Sequence, residues 1–587
     1  MSSAEDIATL GWADYVVIGV MLAISASIGI YYRFTGGRQK TTEEYFSANR
    51  SMSIAPLSLA LMVSFMSAIT LLGISSENYM YGTQIIALYV GYTLGTPASL
   101  YLYLPVFFKL QTMSAYEYLE MRFGVGARLL ASIANSLQLL LYTGVVLYAP
   151  ALALEATTGL PGDISVLLIG IICTFYSTVG GIKAVLITDV FQGILMFVAV
   201  IMIIIFGAIN VEGGIAGIWQ KALDGERIEI DNISPDPTMR HTWWSLTIGG
   251  FCTFLTLYGV NQVQVQRLLT VKTLSAAKMA MWGNWPFLTL LGVLTSFSGL
   301  AMYAYFADCD PLTAGQISAS DMLMPYFVMK TMGHIPGLAG LFIAGIFSAG
   351  LSTVSAMLNS LAAVALEDYV KPTYVKLGSQ FPEKHGTLVG KIFAVVIGLL
   401  CLAVAYIAKN MGSLIQASLS ITGAIGGPLL GIFTLGMFFE SAEEIGSVVG
   451  TVISLALMCW TAFGQPRPAK VALAMSTSGC SANVTTVSLS TVRQVAVGDS
   501  SSFYLYRISY MWYAPLGLVV SVVVGLAVSS LVHLVRKKHL PELNPDLFTP
   551  LVAKRIRRRR VDVTKTTNSQ IFTLQTQKSD NELAHVS

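Results

Sequence analysis

Asp189 stands in an otherwise apolar run, 184–208, with Thr188 and Gln192 beside it. A carboxylate inside such a stretch is costly to bury unless it holds something, so it points to an ion or substrate pathway. The plainer alternative is a pair with Lys183, six residues earlier and about 9 Å away along a helix. Three other stretches, 63–77, 247–264 and 345–360, are apolar yet rich in Gly, Ser and Thr. Small residues let helices approach closely, which accounts for most of them. It accounts less well for Asn261, Gln262 and Gln264 together, or for Ser352 beside Thr353. Backbone that leaves the helix at membrane depth is tolerated only where it is buried in protein or lines a cavity. Its freed carbonyls, with hydroxyls nearby, make an oxygen site for a hard cation.

The elements that position these residues are membrane spans. Apolar residues make up 54% of the 587, charged residues only 11%, and mean hydropathy is +0.66. Ordinary soluble domains carry roughly 25% charge. A bilayer core of about 30 Å needs roughly 20 apolar residues as helix. Such stretches lie near 13–33, 53–75, 83–108, 128–153, 162–179, 184–208, 242–264, 279–306, 336–366, 390–408, 413–438, 443–463 and 511–534, thirteen in all. The expected fold is an all-α multi-pass membrane protein, with residues 1–12 outside, a transmembrane domain over 13–534 and a polar, disordered tail over 535–587. The first span follows acidic rather than basic residues and no cleavage site follows it, unlike a signal peptide.

Lys and Arg concentrate in alternate loops, after 33, 108, 182, 266 and 370, and in the tail. The positive-inside rule then places the N-terminus outside and the C-terminus in the cytoplasm. The inner loop at 439–442 holds no basic residue and fits poorly. Sequons at Asn232 and Asn483 fall in long outer loops and are candidate glycosylation sites, while a third at Asn49 falls inside. Cys309 and Cys480 also lie in outer loops, on the oxidising side, so a disulfide between them is open. The other four cysteines sit in spans, as packing residues do.

The stretch Tyr176-Ser177-Thr178-Val179-Gly180-Gly181-Ile182-Lys183-Ala184 resembles a signature of the solute:sodium symporter family. Thr188 to Gln192, Gly259 to Arg267, Phe347 to Ser355, Ala362 to Asp368 with Lys371-Pro372, and Leu72-Gly73 with Ser76-Glu77 strengthen the likeness. They are most similar to the animal branch holding sodium-coupled monocarboxylate, multivitamin and iodide transporters, over about residues 10–540. The resemblance implies a leucine-transporter-like fold of two inverted five-helix repeats, about 53–208 and 242–438. It implies a sodium site with side-chain oxygens from Ser352 and Thr353 and backbone carbonyls from Val63, Met66 and Ala349. It implies a second ion or substrate contact at Asp189 and Gln192, and a substrate cavity lined by Ser64, Ser67, Thr70, Tyr258 and Gln262. Sugar-carrying relatives have an Asp-Gln pair where this chain has Asn261-Gln262, which argues against a sugar.

The midplane stretches of the candidate cavity helices hold no Arg or Lys, so an anion there would draw its counter-charge from sodium. The expected function is a plasma-membrane sodium symporter importing small organic anions, most of all monocarboxylates such as lactate, pyruvate and short-chain fatty acids. Biotin and pantothenate, or iodide, are the alternatives. A channel or a non-transporting sensor on the same fold is the reading from another class, and nothing resembles a selectivity-filter loop. No catalytic dyad or metal pair surrounds His241, His334, His385 or His533, so an enzyme is not expected, and no cofactor beyond Na+ is implied. Lys554, Arg555, Arg557, Arg558, Arg559 and Arg560 follow the last span closely, where they would fix topology or meet anionic lipid.

Overall fold

The computed structural model describes residues 9–35, 42–382, 385–408, 413–466, 472–480, 503–536 and 543–560, and contains no strand among them. The principal helices run α1 (Trp12–Tyr32), α2 (Ile54–Phe65), α3 (Thr70–Tyr81), α4 (Thr83–Leu110), α5 (Val125–Thr158), α6 (Gly162–Phe175) and α7 (Gly181–Asn210). They continue with α8 (Trp243–Phe254), α9 (Gln262–Leu268), α10 (Leu274–Tyr305), α11 (Leu338–Lys376), α12 (Gly386–Ala408), α13 (Leu414–Phe438), α14 (Glu444–Phe463) and α15 (Tyr510–Val535). Ten of these are long and apolar enough to cross a bilayer, and the α2–α3 pair, bent by 61°, makes eleven. The thirteen expected spans include two that fall short of that standard. One is the short α6, and the other is the interrupted α8–α9.

The interruptions have local causes. Between α2 and α3, Met66 is extended (φ −79°, ψ 93°), and the Ser67 N–H donates to Thr70 Oγ1 at 3.2 Å. The Val63 carbonyl thereby loses its usual helical donor. Between α8 and α9, the chain passes through a wide helical turn over Leu255–Val260 and then extends at Asn261 (φ −73°, ψ 133°). Asn261 Oδ1 caps α9 by accepting from the Val263 N–H at 2.9 Å. Between α6 and α7, Gly181 takes φ 64°, ψ 169°, a conformation open to glycine and strained for any other residue.

One face of the bundle carries a disulfide between Cys309 and Cys480, with Cα atoms 5.0 Å apart. On the same face Arg227 is fully buried in a cage of carbonyls, donating to Tyr79 (2.7 Å), Gly225 (2.6 Å) and Ala474 (2.8 Å), with its guanidinium 4.2 Å from the Tyr303 ring. The other four cysteines form no disulfide and lie in helices. Asn483 lies outside the described residues.

At the opposite face the expectation of a disordered tail fails for 543–560. Residues 550–560 are helical, and Leu547, Phe548, Ala553 and Ile556 are buried. Tyr118 Oη donates to the Leu547 carbonyl (3.1 Å), and the Thr549 N–H donates to Met437 (3.1 Å). This docking also explains the loop at 439–442 that lacks its own basic residue. Arg122 donates to the Phe439 (2.9 Å) and Ala442 (3.2 Å) carbonyls, and Arg555 and Arg559 pair with Glu440. The positive charge of that loop is borrowed from two other segments.

Candidate functional site

The chemistry gathers where α2, α7, α9 and α11 meet. Asp189 on α7 is fully buried and its partner is Arg267, at the end of α9. Arg267 Nη1 lies 2.6 Å from Asp189 Oδ2 and donates to the Ala60 carbonyl of α2 at 3.0 Å. The Ser352 hydroxyl of α11 donates to Asp189 Oδ1. Lys183, the partner the sequence offered, instead sits 5.7 Å from the Tyr32 ring. Sequence alone placed Arg267 in a loop, and the structure instead buries it against α2 and α7. It is 2% exposed.

Gln192 and Gly193 follow Asp189 by three and four residues and so share its face of α7. A Cβ at Gly193 would come within 2.7 Å of Val63 Cγ2, so the missing side chain is what lets α7 press against the end of α2. Ala349, Ser352 and Thr353 occupy one face of α11, and Thr353 Oγ1 donates to the Ala349 carbonyl at 3.1 Å. Gln192 is fully buried, and neither its Oε1 nor its Nε2 has a hydrogen-bond partner among the described residues. Orphaned polar atoms of that kind are rare in folded interiors and mark places where a ligand or water completes the set. The donor set is oxygen-rich, with one carboxylate, two hydroxyls, an amide and released carbonyls. That chemistry suits an alkali cation and not a soft metal.

Beside this cluster lies a cavity of about 40 Å³ lined by residues including Phe65, Met66, Thr70, Tyr92, Ser418 and Thr422. Its wall joins the break in α2–α3 to α13, where a Cβ at Gly73 would meet Ile415 at 2.9 Å. Of the expected cavity residues, Thr70 lines it, together with Met66 of the expected sodium site. Asn261 lines a separate small chamber with Asn135, Gln138 and Thr256. Three others make hydrogen bonds elsewhere in the structure. Ser64 donates to Leu61 and accepts from Gln264 Nε2 (3.0 Å), and Tyr258 donates to the Leu61 carbonyl (2.9 Å). Gln262 accepts from the Ala115 N–H (2.7 Å) and donates to the Met113 carbonyl (2.8 Å). All three are committed to holding helices or a loop together. Ser67 is fully buried at the break.

Ion pairs lie toward both faces of the bundle. At the disulfide end, Arg240 Nε lies 2.5 Å from Glu77 Oε1, and its Nη1 donates to Gln416 Oε1 at 3.0 Å. Burial pushes the neighbouring His241 imidazole down to about 4, so it is neutral at pH 7 and Glu77–Arg240 is the charged pair. At the other end, Asp368 of α11 receives Arg128 Nη2 at 2.6 Å and the Ser114 hydroxyl at 3.0 Å, beside the Gln262 contacts.

Residues 45–454 match the model of the sodium:solute symporter family. A Drosophila melanogaster protein provisionally named a sodium-dependent multivitamin transporter is 49% identical, over 97% of each chain. Sodium-coupled monocarboxylate transporter 1 of Xenopus laevis is 42% identical, covering 88% of this chain and 85% of its own. The Homo sapiens form is 40% identical over 90% and 88%. Among solved structures, the substrate-bound, outward-open state of a Na+-coupled sialic acid symporter is similar with a TM-score of 0.73 and 25% identity, covering 89% of this chain and 98% of that one. A nucleobase-cation-symport-1 family transporter in a closed conformation shares the fold alone, with a TM-score of 0.51 at 12% identity.

Proposed function

The chain belongs to the sodium:solute symporter family, and from that premise we propose that it uses the sodium gradient to import small monocarboxylates such as lactate, pyruvate and short-chain fatty acids across the plasma membrane. The carrying observation is the meeting of a buried carboxylate, paired hydroxyls and an interrupted helix beside a cavity. In folds built on interrupted helices, ions and substrate bind near the midplane, at the breaks. The interrupted starts of α2–α3 and α8–α9 support reading 53–208 and 242–438 as the two repeats.

The named lining of the cavity is apolar with hydroxyl groups from Thr70, Ser418, Thr422 and Tyr92. Hydroxyls donate to a carboxylate, and the apolar wall suits a short hydrocarbon tail. The second reading, biotin or pantothenate, is favoured by the 49% identical relative. Biotin carries a ureido ring that asks for amide partners, and Asn135, Gln138 and Asn261 face the separate chamber while no amide side chain lines this cavity. That division favours the small acids.

In this reading sodium sits among Val63, Met66, Ala349, Ser352 and Thr353, and Asp189 and Gln192 serve a second ion or the substrate. Coupling follows from mutual stabilisation, since each bound cation lowers the cost of burying the anion, and the reverse. The membrane potential contributes about 2.3 kcal/mol per charge per 100 mV. Oocytes expressing the protein are expected to take up labelled lactate in sodium and to lose most of that uptake when choline replaces sodium. Lactate uptake of equal size in choline contradicts the symporter reading.

The disulfide and the basic loops support an extracellular N-terminus and a cytoplasmic C-terminus. Asn232, half-buried in the loop before α8, and Asn483 would then be glycosylated. Asn232→Gln with Asn483→Gln is expected to remove the mobility shift that deglycosylation causes in the wild type. A shift that survives both changes contradicts the assignment. The exposed faces of Arg555, Arg557 and Arg559 support contact with anionic headgroups of the inner leaflet. Retention of phosphatidylserine by the purified protein, weakened when the three become glutamine, is the check.

A further inference from the structure

We propose that Arg267 is a tethered cation that holds the Asp189 carboxylate while sodium is absent, and that its charge makes sodium binding conditional on the anion. This rests on the reading of Asp189 and Ser352 as part of the ion pathway. Arg267 and Asp189 are 2% and 0% exposed, and their contact is 2.6 Å. A buried pair of this kind is a poor device for stability alone, because desolvating both charges offsets most of their attraction. It is also incomplete. Arg267 Nη2 is buried with no hydrogen-bond partner among the described residues, and so are both amide atoms of Gln192, one turn along α7 from Asp189. A purely structural network would use these atoms. Here one belongs to the guanidinium that already holds the carboxylate, and the others to a side chain on the same face of α7.

The charge count shows what the guanidinium does. Asp189 and Arg267 together are neutral. A sodium ion that enters leaves the cluster at one positive charge, in surroundings that screen charge far less than water does. A monoanion arriving in the cavity restores neutrality. Without Arg267, Asp189 and sodium would be neutral by themselves, and the ion would bind with no anion present. The resident cation therefore ties ion and substrate together, and by linkage each raises the affinity of the other equally. Arg267 also donates to the Ala60 carbonyl of α2, at 3.0 Å, three residues before Val63. When sodium takes the carboxylate, the guanidinium is left with that carbonyl, so the exchange is felt in the interrupted helix that borders the cavity.

The test is binding of sodium-22 to the purified full-length protein in lipid nanodiscs, with no organic anion present. R267Q is expected to bind sodium roughly tenfold more tightly than the wild type, a coupling of ordinary size. R267K, which keeps the charge, is expected to stay close to the wild type. Added L-lactate is expected to tighten sodium binding in the wild type and to leave R267Q unchanged. An R267Q affinity equal to or weaker than wild type overturns the proposal. Should R267Q yield no folded protein, R267K decides: wild-type-like binding supports the proposal, and strong tightening despite the retained charge overturns it. If lactate leaves the wild type unmoved while R267Q binds sodium more tightly, the choice of lactate as substrate fails and the role of Arg267 stands.

Discussion

Asp189→Asn is expected to reduce sodium-stimulated uptake by at least about a hundredfold. Two losses add. The amide cannot offer a charged ligand to a cation, where interactions with an ionised group are worth about 1.5–3 kcal/mol. It also strands Arg267 as an unpaired buried charge, and breaking a buried pair costs about 3–5 kcal/mol. Part of the second loss would appear as poor folding, so uptake must be normalised to protein at the surface. Asp189→Glu keeps the charge with one more methylene in a packed site and should retain some sodium-dependent flux. Near-normal uptake by surface-expressed Asp189→Asn would remove the carboxylate from the ion pathway.

Ser352→Ala combined with Thr353→Ala has the next largest effect. The pair removes two hydroxyl oxygens from one face of α11, and with Ser352 the donor to Asp189. At roughly 0.5–1.5 kcal/mol for each of the two lost interactions, the sodium concentration for half-maximal uptake should rise about fivefold to 150-fold. Maximal uptake at saturating sodium should fall less, because the cavity walls are untouched. An unchanged sodium activation curve would show that these hydroxyls hold no ion. Alanine is small and fits the helix, so misfolding is a lesser concern here than at Asp189.

Much of this was legible in the chain. Span positions followed from hydropathy because a lipid-facing helix must be apolar along about 20 residues. The breaks were legible as Ser-, Thr- and Gly-rich stretches, and Asp189 as a carboxylate with no business in lipid. Pairing was not legible. Asp189 bonds to a residue 78 positions away, while Lys183 was near in sequence and wrong. Arg267 read as a loop cation because it ends a polar run, Gln262-Val-Gln-Val-Gln-Arg267, that looks like an exit from the membrane. The structure turns that run inward, where each polar side chain finds a separate partner. Gln262 takes the loop at 113–115, Gln264 takes Ser64, Gln266 takes the Phe46 carbonyl and Arg267 takes Asp189. Polar residues that hold helices together and polar residues that line a cavity have the same composition. Only geometry separates Thr70 from Ser64 and Tyr258. The tail was misjudged for a similar reason, since the few apolar residues that dock 543–560 are too sparse to stand out among its charges.

The most direct measurement is uptake of labelled L-lactate and labelled biotin by oocytes expressing the protein, each in sodium and in choline. Sodium-dependent lactate uptake that unlabelled pyruvate and butyrate suppress is the expected result, with biotin entering much more slowly. Sodium-dependent biotin uptake without lactate uptake would contradict the substrate, and lactate uptake indifferent to sodium would contradict the coupling.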